Sequence, residues 1–151
     1  MKVGVTGTRK GMRQAQITAF FKFVQDNEIE EFHHGDCVGV DDEAANIVFA
    51  EKTQSGIACH IHRRPGPDDG LHRASNQLHI ASGGRDYPEK THFARNRDIV
   101  NACDLLVVIP LDDSRQPHGG TWYTYDYAVK RGKQVVVIWP DGRVDWVSEI
   151  K

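Results

Sequence analysis

The chain has 151 residues, 39% of them hydrophobic, with 19 Lys and Arg against 21 Asp and Glu. That is the length of one domain and the composition of an ordinary globular protein, and the net charge of −2 excludes a generic basic coat for nucleic acid. Three cysteines (Cys37, Cys59 and Cys103) make no disulfide scaffold, no apolar run is long enough to span a bilayer, and Met1 to Val5 has no signal-peptide layout. The expected setting is cytoplasmic, with no membrane partner.

In chain order, the β-branched run over residues 3–6 predicts a strand that stops at Gly7. Ile17, Phe20, Phe21 and Val24 recur at spacings of three and four, which predicts a helix over 12–27. Residues 29–33 read as a second strand, weakened by Glu30 and Glu31. A helix over 41–53 follows, with Ala44, Ala45, Val48 and Phe49 on its apolar face and Gly56 beyond its end. Residues 57–61 read as a third strand. The stretch 63–90 is longer than ordinary connections and is read as an insert or lid, with a short helix over 71–79. A helix over 91–102 is expected to bury Phe93, Ile99 and Val100. The runs 104–110 and 134–140 are apolar throughout, the pattern of strands buried on both faces, and a helix over 121–131 separates them. The tail 141–151 carries Val144, Trp146, Val147 and Ile150, so it is expected to dock on the body.

This alternation predicts an α/β fold for a single domain spanning 1–151. The expected form is a Rossmann-like doubly wound parallel sheet of about five strands, in the order 3-2-1-4-5, with helices on both faces.

Ligands of such sheets bind beyond the carboxyl ends of the strands, so the residues there carry the functional expectation. After the first strand come Gly7, Thr8 and Arg9, where glycine admits close approach and the next helix offers free N–H groups to an anion. After the second come Gly35, Asp36, Gly39 and Asp41. Asp41 is placed as a helix N-cap and Asp36 as the acceptor of a ribose hydroxyl. His118, Gly119, Gly120 and Thr121 open the fourth helix as a second anion cradle. Arg95, Asn96 and Arg97 precede the fourth strand, and a guanidinium there can grip phosphate through two parallel hydrogen bonds. Among the histidines, His60 and His62 can share a face while adjacent His33 and His34 cannot. No H-E-x-x-H or Cys/His framework accompanies them, so no metal is expected. The aromatic residues Trp122, Tyr123, Tyr125 and Tyr127 are read as core or as the interface of a homodimer or higher homo-oligomer.

Together, Val5-Thr6-Gly7-Thr8-Arg9, His34-Gly35-Asp36-Cys37-Val38-Gly39-Val40-Asp41, Arg95-Asn96-Arg97 with Cys103-Asp104, and Gly119-Gly120-Thr121 span nearly the whole chain. In this order they resemble the SLOG superfamily, named for the Smf/DprA proteins and the Lonely Guy (LOG) phosphoribohydrolases, and within it the small YspA-like proteins. The resemblance implies a domain that binds a nucleotide or a nucleotide-derived phosphorylated ligand, requires no cofactor, and acts as a sensor, carrier or processing protein. It also implies an alternative, an N-glycosidic hydrolase of nucleoside 5'-monophosphates, in which an arginine and a glutamate cut the bond. Arg95 falls at the arginine's place. Tyr123 and Thr124 stand where the glutamate would, so Asp126 and Asp36 are the remaining candidate catalytic acids. A second alternative is single-stranded DNA binding, for which residues 60–97 offer only a mild basic excess; nucleic acid is not the expected partner.

Overall fold

Side chains alternate across a pleated strand, so a sheet covered on both faces needs apolar residues at every position of its central strands. The computed structural model, which describes residues 1–52, 57–63 and 83–147, shows this arrangement. The chain runs β1 (Lys2–Gly7), α1 (Gln14–Asp26), β2 (Glu31–His34), α2 (Val40–Lys52), β3 (Ala58–His62), β4 (Asp86–Tyr87), α3 (His92–Ala102), β5 (Leu105–Ile109), α4 (Gly120–Lys130), β6 (Gln134–Ile138) and β7 (Val144–Val147). The helix expected over 71–79 lies outside the described residues.

The strands form one sheet in the order β4-β3-β2-β1-β5-β6-β7. The five expected strands occupy its middle in the expected order. The count is corrected from five to seven by an edge strand on each side. β4 is two residues long and joins β3 in parallel, whereas β7 is the C-terminal tail, paired antiparallel to β6 with Val136 opposite Trp146. Neither was legible as a strand: the first is too short to show a period, and the second mixes charged and apolar residues.

One face of the sheet presents Val3, Val5, Phe32, Cys59, Leu105, Val107, Ile109, Val136 and Ile138 to α1 and α2. The other presents Leu106, Val108, Val135 and Val137 to α3 and α4. Gly4 lets α3 approach closely, because a Cβ there would lie 2.9 Å from Ile99 Cγ2.

Two helix faces differ from expectation. In α1, Gln16 and Phe23 are buried while Phe21 is exposed. Gln16 is held inside because its Nε2 donates to the carbonyls of Pro110 and Ile138, so a buried amide finds partners at two strand ends. In α3, Arg95 and Asn96 are buried and Phe93 is 53% exposed. A polar pair thus takes the buried place expected for an aromatic residue.

Candidate functional site

The sheet grows outward from β1 in both directions, since β2 lies on one side and β5 on the other. The helices that follow these strands diverge to opposite faces, which leaves a crevice at the carboxyl end of β1. A cavity of about 400 Å³ lies there, within the usual range for small-molecule sites. Thr6, Gly7, Thr8 and Arg9 form one wall, Gly35, Cys37 and Asp41 another, Phe93, Arg95 and Asn96 a third, and Gly120 with Thr121 closes it.

Each wall has a local cause. Thr8 is pinned by its N–H donating to the Ile109 carbonyl, and its own carbonyl accepts from Val40 N–H, so the turns after β1 and β2 are tied together. Gly39 has φ +86° and its missing Cβ is where Arg9 O would otherwise lie 2.4 Å away. Gly7 is equally tight, with Ile109 O at 2.6 Å from a Cβ position.

Asp41 does not sit at the N-cap. α2 begins one residue earlier, at Val40, and the Asp41 carboxylate turns back to accept the backbone N–H groups of Gly35 and Cys37, both at 3.2 Å. It therefore shapes the β2–α2 turn rather than capping the helix. Burial pushes its carboxyl up to about 6, against the pull of Arg95 and of the two amides, while Asp36 adds to the rise. Burial and the nearby Asp41 carboxylate also push the Cys37 thiol up, keeping it protonated near neutral pH.

A raised carboxyl favours the folded state when protonated, so its contribution is present below the unfolded value near 4 and is lost as pH climbs through about 6. At about 1.4 kcal/mol per pH unit between those values, the window is worth up to about 3 kcal/mol. Asp41→Asn is isosteric and cannot titrate. Denaturant unfolding should show wild type losing stability relative to Asp41→Asn between pH 4 and pH 6.5; a constant difference across that range would refute the assignment.

Arg95 is 5% exposed and lies in the cavity wall. Its Nη1 donates to the Gly35 carbonyl, its Nε donates to Asn96 Oδ1 at 2.7 Å, and Nη2 lies 3.4 Å from His92 Nδ1. These bonds hold the guanidinium in one orientation, the condition for a fork that grips an anion.

The structure thus brings together Gly7, Thr8, Arg9, Gly35, Asp41, Arg95, Asn96, Gly120 and Thr121. Other expected residues lie elsewhere. Asp36 is fully buried at φ 63°, outside the cavity lining, with Arg63 Nη1 at 3.4 Å from its Oδ2. Arg97 donates to the Tyr123 hydroxyl at 2.8 Å and is not in the wall, because it projects from a different side of α3 than Arg95. His118 and Gly119 are exposed in the loop before α4, outside the lining. Gly39 supports the turn from behind. Asp126 is an exposed partner of Arg115, paired through both carboxylate oxygens at 2.5 Å.

Cys37, His92 and Phe93 line the cavity without having been singled out. Phe93 packs against Tyr123 with the two rings tilted and their centroids 4.3 Å apart. The other aromatic residues of α4 also find partners within the chain: Trp122 against Tyr125 and Trp139, and the Tyr127 hydroxyl on Asn101. Their abundance is therefore accounted for within one chain and is no ground for the expected homo-oligomer.

No family model matches the chain, and no curated protein does. Among solved structures, the fold is similar to DNA processing protein A (DprA) from Streptococcus pneumoniae, with a TM-score of 0.60 and 21% identity, over 90% of this chain and 49% of that one. It is also similar to TM1055, a structural genomics target, with a TM-score of 0.55 and 15% identity, over 89% of this chain and 72% of that one. The chain spans about half the length of the DprA structure. The likeness shows that the chain shares the fold of these two structures, the α/β arrangement that the sequence motifs lead one to expect. No described helix is long and apolar enough to cross a membrane.

Proposed function

We propose that the chain binds a nucleotide or nucleotide-derived phosphorylated ligand in the cavity at the carboxyl end of β1. The observation that carries this reading is convergence: the Thr6–Arg9 turn, the Gly120–Thr121 start of α4 and the Arg95 guanidinium face one space. Free backbone N–H groups at the start of α4 and a fixed guanidinium are both anion ligands. Thr8 and Thr121 supply hydroxyl donors, and half-exposed Phe93 offers an apolar ring at the rim.

The test is nucleotide-induced thermal stabilisation. Nucleoside monophosphates should raise the Tm of wild type. A Cβ at Gly120 meets nothing closer than Asn96 Nδ2 at 3.8 Å, so Gly120→Leu should fold while filling the anion seat. Unchanged stabilisation in that variant would refute the reading.

The hydrolase alternative draws less support. Asp126 is bound to Arg115 at the surface and Asp36 is outside the lining, which leaves Asp41 as the carboxylate among the lining residues. Release of free base from AMP, GMP, CMP and UMP should be weak or absent. Losing a preorganised catalytic charge commonly costs about 10²–10³ in rate. Robust turnover abolished by Asp41→Asn would make the chain an enzyme.

The likeness to a DNA processing protein removes the ground for setting nucleic acid aside. A single-stranded oligonucleotide should compete with a mononucleotide if the cavity takes a strand, and should leave mononucleotide binding unchanged if it takes a free ligand.

A further inference from the structure

We propose that Glu31, His33 and His60 form a binding site for a divalent transition-metal cation of the zinc type, separate from the nucleotide cavity. β2 and β3 run parallel with His33 opposite His60, so strand alternation places Glu31, His33, His60 and His62 on the same face of the sheet. Glu31 opens β2, whereas the cavity-lining Gly35 follows that strand. Four residues of extended chain separate the two by about 13 Å.

Glu31 Oε1 lies 3.0 Å from His33 Nε2 and 3.7 Å from His60 Nε2, and the three ligand atoms all fall within 4.8 Å of one another. A tetrahedral ion with bonds of about 2.0–2.1 Å sets its ligands about 3.4 Å apart, so shifts of about an ångström, with a turn of the His33 and His60 rings out of their 12° stack, seat the cation. Among the described residues, His60 Nε2 has no hydrogen-bond partner although it is buried, an arrangement that costs stability unless something occupies it. Lys2 Nζ lies 4.0 Å from the other Glu31 oxygen, Oε2, and leaves Oε1 to the site. Glu31 is partly exposed, which opens a route from solvent and a fourth position for water.

The surroundings fit the donor set. His33 Nδ1 lies 2.9 Å from His62 Nε2, the orienting contact that a ligating histidine usually makes through its second nitrogen. His62 is itself stacked on Tyr87, with centroids 4.4 Å apart. Without a cation, the Arg85 N–H donates to His60 Nδ1, which places the His60 proton on Nε2, toward Glu31. Cation binding moves that proton to Nδ1 and frees the Arg85 amide. In the same way the His33 and His62 protons each pass from Nε2 to Nδ1, and none is lost to solvent. Two imidazoles and a carboxylate with an open position suit zinc or cobalt better than magnesium or calcium.

Cobalt(II) titration of the chelator-treated chain tests this. Wild type should develop visible bands of four- or five-coordinate cobalt, saturating at one equivalent, quenched by zinc, with a metal-dependent rise in Tm. Glu31→Gln and His60→Gln should each weaken binding at least about tenfold, and His118→Ala should leave it unchanged. Wild type binding cobalt no better than Glu31→Gln, or not at all, would overturn the proposal. If His60→Gln does not fold, the partly exposed Glu31→Gln variant carries the comparison. The readout is independent of nucleotide, so it stands or falls apart from the cavity's assignment.

Discussion

Arg95→Ala should weaken nucleoside monophosphate binding at least about tenfold in calorimetric titration, since a charge-assisted contact is worth about 1.5–3 kcal/mol. The loss has two sources. The ligand forfeits a fixed guanidinium, and the β2–α2 turn loses the donor that holds the Gly35 carbonyl. Asp41 also loses the cation that most opposes the rise of its carboxyl, so that carboxyl should titrate still higher in the variant. Arg95→Lys should recover part of the affinity only, because an ammonium cannot span Gly35 O and Asn96 Oδ1 as the fork does. Equal affinity in wild type and Arg95→Ala, with a lowered Tm, would make Arg95 a brace of the loop and not a ligand.

Gly39→Ala should be the most damaging methyl addition among the turns that build the cavity. The residue sits at φ +86°, where an L side chain costs about 1–2 kcal/mol, and the new Cβ would meet Arg9 O at 2.4 Å and Arg9 Cα at 2.7 Å. Overpacking of this kind adds about 1–3 kcal/mol, so the sum corresponds to a fall in Tm of about 5–15 °C for a chain of this size. Gly132→Ala is the control: φ is +73° there, yet nothing lies within 4 Å, so only the dihedral cost applies. Similar losses at both positions would show that the close approach of Arg9 carries no energy. Because Arg9 lines the cavity, Gly39→Ala should also weaken nucleotide binding in the molecules that remain folded.

The sequence by itself determined the frame. Alternation of β-branched runs with amphipathic stretches pointed to a parallel sheet, because period and apolarity are local properties, and the right-handed crossover rule narrowed its order to the one found for the five central strands. It also determined that the glycine-rich turns after β1 and before α4 and the arginine of α3 belong to one end of the sheet, since every such turn follows a strand or opens a helix. Tertiary structure alone decided which side chains enter the cavity. Arg95 and Arg97 are two residues apart on one helix, about 200° around its axis, and only the packing of α3 on β1 and α4 selects the first for the wall and the second for Tyr123. Asp41 looked like a helix cap and instead accepts two amides of the preceding turn, a choice made by where the loop folds back. Asp126 was the nearest acid along the chain but is bound to Arg115, eleven positions before it. The Glu31, His33 and His60 cluster has no spacing motif because its ligands come from two strands. Only their parallel register puts His33 beside His60, and register is set by the packing of whole faces rather than by any short run of residues.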